Sequence, residues 1–384
     1  MQEPTQSFDI ICLSHLKWEE TLFQRPQQIM KQMARRHRVL YLGHIATREY
    51  FRARWAGERE LLAGDLNGNL FYQNLPYFPL TKHFSGLRLW RYRCTAIRAR
   101  TLAKRYGFRD PLLWVYHPGY TPFLNKLRFR ALVYDCMDQF TAFASARSSD
   151  ESLETALLTR ANLVFTGGKT LQRAKAGVNP GTHCFPSGVE VEHFAQAALE
   201  STPVAPDIAP IRRPILGYFG AVDERIDFGL IRYLCERRPD WSIVFIGPLI
   251  RFEKCPVESP NFHYLGKKEY RDLPRYLKAF DVCLMPFVDS ELTRHISPTK
   301  TPEYLAGGKP VVSSPVPDIV EDYSDVVRIA ATPEVFLEQV ENALRDRAGA
   351  SSARPGAKTR VRSWEQIARE MEQLIQDCAS KAGE

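Results

Sequence analysis

The chain has no Asp-x-Asp triplet, no Cys-x-x-Cys pair, no long apolar run, no internal repeat and no low-complexity tract. Without an acidic triplet, a carboxylate clamp for a divalent cation is not indicated, and no metal or cofactor is expected. Eight cysteines stand at 12, 94, 136, 184, 235, 255, 283 and 378. Their scatter argues against a disulfide framework or a zinc site. Cys12, Cys136 and Cys283 sit inside apolar runs, where a thiol behaves as a small hydrophobe. Residues 1–8 are polar and lead into a short apolar run at 10–13, too short for the core of a signal peptide, and no stretch reaches the length of a membrane span. A cytoplasmic protein is expected.

What is present is an ordinary globular composition, 44% hydrophobic and 25% charged, which excludes disorder and collagen. At 384 residues the chain suits two domains of roughly 200 residues or fewer. Apolar runs at 8–14, 38–43, 70–75, 112–117, 131–135, 163–166 and 183–186 alternate with helical stretches. The second half repeats this with runs at 215–219, 242–246, 262–265, 282–286, 310–313 and 326–329. Continuous rather than alternating apolar runs indicate parallel strands covered on both faces, and the strand–helix alternation indicates doubly wound α/β sheets. Residues 201–214 contain prolines at 203, 206, 210 and 214 and read as a linker. The expected division is an N-terminal Rossmann-like domain over 1–200 and a C-terminal one over 215–360, facing each other across a cleft. A final helix over 361–384 would pack back on the first domain.

Ligands of such sheets lie beyond the carboxyl ends of the strands. Gly220 follows the strand at 215–219, and Arg225 lies in the turn before the next helix. There it is either a phosphate contact or a surface arginine. The run from His295 to Val312 carries a stronger signal. Ser297 suits an N-cap, Pro298 the first helical position and Gly307-Gly308 the helix end. Lys300 would then lie in the first turn, able to contact a diphosphate. Glu303, a turn later, could accept from ribose hydroxyls. The alternative is an exposed i, i+3 ion pair worth a few tenths of a kcal/mol. In the first half, Arg25-Pro26 opens a helix, so Gln24 and Arg25 are candidates for the acceptor side. His117, before Pro118-Gly119, sits on a strand-end turn. Asp138 lies past the strand at 131–135, either as a base for an acceptor hydroxyl or as the N-cap of a helix near Phe140.

The stretches "YFGAVDERID", "FIGP", "NFHYLGKKEYRDLPRYLKAFDVCLMPF" and "SPTKTPEYLAGGKPVVSS", with "FQRPQQIM", "VYDCMDQF" and "GVEVEHF", resemble family 4-like glycosyltransferases. These have the GT-B fold; the similarity is greatest to bacterial surface-polysaccharide enzymes of the teichuronic acid type. The resemblance implies that Arg225 and Lys300 bind the diphosphate of a nucleotide sugar and Glu303 its ribose. It implies that Gly266 and Lys267 hold the base through their backbone and that His117 lies near the transferred sugar. His295 stands where the family often has the first of two glutamates eight positions apart, which leaves the donor-sugar contact and the stereochemistry open. A polysaccharide or lipid-linked glycan is the expected acceptor. An epimerase on the same fold and a non-catalytic nucleotide-sugar-binding module are the alternatives.

The net charge of +8 is uneven. Between Thr81 and Arg130 there are twelve Lys/Arg and one acid, a net of 12 − 1 = +11, leaving 8 − 11 = −3 elsewhere. With aromatic and aliphatic neighbours, this segment (Arg88, Arg91, Arg98 and Lys104 among its cations) suits an anionic membrane surface, as on the inner face of a membrane. A polyanionic acceptor or a solvated face are the other readings. Nucleic acid fits less well, since no recognition motif accompanies the charge.

Overall fold

Apolar side chains on both faces of a strand demand cover on both faces, and the crossover helices of a parallel sheet supply it. A computed structural model describes residues 7–18, 24–55, 62–64, 68–77, 85–140, 148–296, 299–348 and 360–381. They divide into two units, 1–186 with 364–384, and 187–363.

The first unit runs β1 (Asp9–Leu13), α1 (Arg25–Met33), β2 (Arg38–Ala46), α2 (Thr47–Trp55), β3 (Leu62–Gly64), β4 (Leu70–Tyr77), α3 (Ser85–Arg105) and β5 (Leu112–Val115). A 3₁₀ segment (Pro118–Lys126) follows, then β6 (Ala131–Cys136), α4 (Ser148–Arg160), β7 (Leu163–Thr166), α5 (Lys169–Ala176) and β8 (Thr182–Cys184). The second unit holds α6 (Val191–Ala195), β9 (Ile215–Phe219), α7 (Phe228–Arg237), β10 (Ser242–Ile246), β11 (Phe262–Tyr264), α8 (Leu273–Ala279) and β12 (Val282–Met285). It continues with α9 (Glu291–Arg294), α10 (Lys300–Ala306), β13 (Val311–Ser313), α11 (Pro317–Tyr323), β14 (Arg328–Ile329) and α12 (Pro333–Ala348). Helix α13 (Trp364–Lys381) returns to the first unit.

The first sheet has the order β3-β4-β2-β1-β5-β6-β7-β8, parallel except for the β3–β4 pair. The second has the order β11-β10-β9-β12-β13-β14, all parallel. In each, the order reverses beside the first strand, between β1 and β5 and between β9 and β12. These are the switch points where a doubly wound sheet opens a crevice at its carboxyl edge. Alternate residues of β1 feed two core layers. Ile10 and Cys12 pack with Ile29, Met30, Ile367 and Met371; Ile11 and Leu13 pack with Tyr92, Ala96, Leu102 and Tyr120.

Three expectations are corrected. The division falls after Pro186 rather than at 200. Residues 201–214 are not a free linker, because Ala205 and Ile208 are buried in the second unit's core; the apolar side chains between the prolines decide this. Arg25 is not an acceptor-side group. It is 4% exposed, its Nε donates to Asp135 Oδ1 at 2.8 Å and its Nη1 to the Phe185 carbonyl at 2.6 Å. Helix α1, strand β6 and the end of the first unit's continuous segment are thereby tied at one guanidinium. Gln24 is exposed at the helix N-cap, where its N–H donates to Gln27 Oε1 at 3.2 Å.

Burial pushes the Asp135 carboxyl up, and Arg25 pulls it back. Removing one partner of such a pair strands the other charge, at about 3–5 kcal/mol. Arg25→Met is therefore expected to lower the unfolding free energy by that amount in urea titrations, and Arg25→Met/Asp135→Leu to recover most of it. A single variant as stable as the parent refutes the tie.

Candidate functional site

At the carboxyl edge of the second sheet, the exits of the neighbouring strands β9, β10 and β11 carry Gly220, Gly247 and Gly266. Gly220 N–H donates to the Ile246 carbonyl at 2.9 Å, and Gly247 N–H to the Gly266 carbonyl at 3.0 Å. A Cβ on Gly247 would stand 1.8 Å from the Gly220 carbonyl oxygen, and its φ of 144° is one that L side chains rarely adopt. Only glycine allows these turns to lie so close. Tyr218 Oη donates to the Ala221 carbonyl at 2.9 Å, and Phe219 N–H donates to Tyr304 Oη at 3.0 Å. The turn after β9 is thus fixed to helix α10.

Helix α10 begins at Lys300, later than the sequence suggests; Ser297 and Pro298 lie outside the described residues. Pro302 consequently falls in the first turn, where its missing N–H has no intrahelical partner to lose. The end is as the glycines require. Gly308 has φ 71°, its N–H donates to the Leu305 carbonyl, and Lys309 N–H donates to the Tyr304 carbonyl, each at 3.0 Å, which is a Schellman closure.

Lys300 Nζ lies 3.0 Å from Glu303 Oε2 and 5.4 Å from the Phe219 ring centroid. The i, i+3 pair is therefore formed, and it is formed at the mouth of β9. Arg225 grips Asp223 with Nε at 2.9 Å from Oδ1 and Nη2 at 2.6 Å from Oδ2. Arg225, Asp223 and Glu303 all act electrostatically on Tyr218, so the two cations and their carboxylates gather around one strand exit. Burial pushes the Glu303 carboxyl up, Lys300 pulls it down, and Glu190 pushes it up again. Lys267 is exposed, and His295 is half-buried at the end of α9. Sequence reading passed over Gly247, Asp223 and Glu190. The first repeats the strand-then-glycine signal of Gly220; the other two have no local signature.

At the switch point of the first sheet, the register Leu13↔Val115 carries His15 and His117 side by side beyond β1 and β5. Their ring centroids are 5.5 Å apart, and Phe140 lies 5.5 Å from one and 5.0 Å from the other. His117 Nδ1 accepts from Gly119 N–H at 2.9 Å, which makes Nε2 the protonated nitrogen. That Nε2 lies 3.4 Å from Tyr92 Oη, and the two rings stack. Deeper, His44 Nε2 meets Thr95 Oγ1 at 2.8 Å. Asp138 is half-buried two residues beyond β6, and its carbonyl accepts from Cys136 Sγ at 3.4 Å. His15 was missed by sequence reading, although it directly follows the first apolar run.

Two Rossmann-like domains, each with its ligand edge at a switch point, define a GT-B protein. Residues 213–346 match the family model "Glycosyl transferases group 1". It is 27% identical over 227 residues to a putative teichuronic acid biosynthesis glycosyltransferase of Bacillus subtilis (53% of this chain, 55% of that one). It is 24% identical over 246 residues to a GDP-mannose-dependent monoacylated alpha-(1-6)-phosphatidylinositol monomannoside mannosyltransferase of Corynebacterium glutamicum (56% and 61%). The chain therefore spans little more than half the length of these curated relatives. Among solved structures, sucrose-phosphate synthase of Thermosynechococcus elongatus superposes with a TM-score of 0.75 at 16% identity, covering 97% of this chain and 100% of that one.

Burial, with Arg91 beside them, lowers His15 from 6.5 to about 4 and His44 from 6.5 to about 3. The unfolded chain therefore binds more protons than the folded one below pH 6.5, and stability falls as pH drops from 6.5 toward 4. The urea midpoint is expected to decline over that window, and His44→Gln to flatten the decline. An unchanged slope in the variant contradicts the neutral, buried state of His44.

Proposed function

We propose that the protein is a glycosyltransferase that moves a sugar from a nucleotide diphosphate donor, held by the second unit, to a polysaccharide or lipid-linked glycan acceptor, held by the first. The observation that carries this reading is the gathering of Arg225, Lys300 and Glu303 at the glycine-lined exit of β9. Glycine exits let a diphosphate approach the backbone. Arg225 and Lys300 would neutralise its charge as it leaves, which is the step where preorganised cations contribute most. Glu303 would accept hydrogen bonds from the ribose, and the backbone of Gly266 and Lys267 would meet the base. His117, protonated at Nε2, would donate to the transferred sugar. Asp138 is the candidate base for the acceptor hydroxyl. With two cations on the leaving group, neither a metal nor an organic cofactor is required. The lipid-linked substrate named for the mannosyltransferase relative supports an acceptor of that type.

The first unit also offers a surface for an anionic membrane. Trp90 and Ile97 are 48% and 41% exposed on α3, on a face with exposed Arg93, Arg100 and Lys104. On α2, Phe51 and Trp55 are 49% and 89% exposed, near exposed Arg48 and Arg52. Of the cations singled out in the sequence, Arg98 turns to Gln73 Oε1 (2.8 Å) and Arg91 to Tyr92, while the side chain of Arg88 lies outside the description. Among the described residues, no helix is long and apolar enough to cross a membrane.

Glu303→Ala is expected to weaken nucleoside diphosphate binding by about ten- to a hundred-fold, the worth of hydrogen bonds to a charged group, with the urea midpoint little changed. Calorimetric titration with UDP and GDP tests it, and an unaltered dissociation constant removes the assignment. Donor turnover with acceptor extract is expected to survive excess EDTA; loss of turnover restored by magnesium or manganese would show that a metal takes part.

Each cation close to an anionic surface contributes about 1 kcal/mol, screened over roughly 8–10 Å at physiological salt. The protein is expected to co-sediment with phosphatidylglycerol vesicles at low salt and not with neutral ones. Glutamine at Arg93, Arg100, Lys104 and Arg105 together should release it. Indifference of the parent protein to anionic vesicles would leave these faces merely solvated.

A further inference from the structure

The turn that carries Arg225 is held from both sides before its side chain is considered. Between β9 and α7 the chain crosses the exits of the two strands that flank β9. Toward β10, Val222 N–H donates to the Pro248 carbonyl and Ile250 N–H to the Val222 carbonyl, each at 3.0 Å. Toward β12, Asp227 N–H donates to the Pro286 carbonyl at 2.8 Å and Val288 N–H to the Arg225 carbonyl at 2.9 Å. Val222 and Ile226 are buried in the second unit's core. The main chain at Arg225 is therefore fixed by hydrogen bonds and burial that the Asp223 side chain does not supply. What freedom remains belongs to the arginine side chain.

Asp223 removes that freedom. Its Oδ1 accepts from Arg225 N–H at 3.0 Å and from Nε at 2.9 Å, and its Oδ2 accepts from Nη2 at 2.6 Å. One buried carboxylate thus closes the turn and clamps the side of the guanidinium, a bidentate geometry that fixes the plane of the group. The clamp takes the Nε–Nη2 side, and the Nη1–Nη2 end projects beyond it. The arginine side chain remains partly exposed while the carboxylate is buried, so the clamp lies behind the cation.

Two effects of Asp223 on an arriving anion oppose each other. Its charge repels the anion, whereas its clamp spares the ligand the ordering of a long, flexible side chain. The charge is already met by the cation it holds, and an ordered arginine side chain is worth about tenfold or more in affinity. The clamp prevails.

We propose that Asp223 is a positioning residue, which holds the Arg225 guanidinium in the orientation that meets the donor diphosphate. This rests on reading Arg225 as a diphosphate contact, and it makes that contact a two-residue device rather than a single cation.

Two substitutions that remove the same charge separate the clamp from the repulsion. Asp223→Asn keeps an acceptor for both Arg225 N–H and Nε. Asp223→Ser keeps a hydroxyl for the turn but is too short to hold the guanidinium. The full chain, with each substitution alone and combined with Arg225→Gln, is titrated calorimetrically with UDP and with GDP. Asp223→Ser is expected to bind the preferred nucleoside diphosphate about tenfold more weakly than Asp223→Asn, and the two to bind equally once Arg225→Gln is present. Should Asp223→Ser not fold, Asp223→Thr takes its place. Equal or tighter binding by Asp223→Ser, with Arg225→Gln alone weakened, overturns the inference and leaves the donor reading standing. A difference between the Asn and Ser variants that persists undiminished with Arg225→Gln assigns the effect to the turn and also overturns it. Failure of the parent to bind either nucleotide, or equal binding by the parent and Arg225→Gln, overturns the diphosphate contact and the inference with it.

Discussion

A parallel strand cannot hand its chain to its neighbour without crossing back over the sheet, so every strand exit of such a sheet reaches the same edge. Both sheets here obey that constraint, with β3 as the one antiparallel strand among those described. Crossovers leave to opposite faces on either side of β1 and of β9, and the crevice left there brings together groups distant in sequence. Gly220, Gly247 and Lys300 meet in this way, as do His15 and His117, which are brought together by the register of β1 on β5. The chemistry of both edges follows from strand direction before any side chain is considered.

Burial then decides what each ion pair can do. In Arg225–Asp223 and Lys300–Glu303 the cations are 30% and 26% exposed and the carboxylates only 9% and 11%, so the cations are the open half of each pair. An anion reaching those cations would share them with their carboxylates rather than displace them, because stranding a buried carboxylate is costly. Arg25–Asp135 consists of the same chemical groups with both side chains buried, and no ligand can exchange into it. A sequence reading that treats all three arginine and lysine positions as ligand contacts overlooks this difference, because burial is a property of the assembled sheet.

The sequence made the strands legible, since continuous apolar runs carry their own signal of two-sided cover, and most of the expected runs became strands. The glycine-bounded end of α10 was equally readable. Three things were not. The prolines at 203–214 read as a linker because proline marks a break in local structure, whereas the burial of Ala205 and Ile208 depends on a core formed elsewhere. Arg25 looked accessible because Asp135 lies 110 positions away. His15 carried no motif and acquires its neighbours only when β5 inserts beside β1. Local signals survive folding; pairings across the sheet have to be seen.

Helix α3 shows how one element can serve two surfaces. Tyr92, Ala96, Ala99, Leu102 and Ala103 fix its inner face in the core, which leaves Arg93, Arg100 and Lys104 no direction but outward. Arg91 stands at the boundary between the two, and its field reaches the half-buried His15 and the buried His44. The basic surplus of the segment from Thr81 to Arg130 therefore divides by helical phase. One part lies on an exposed face where salt screens it, and another adjoins a crevice where low dielectric strengthens it. The second edge gathers glycine backbone and paired cations. The first sets histidines held neutral by burial beside a guanidinium.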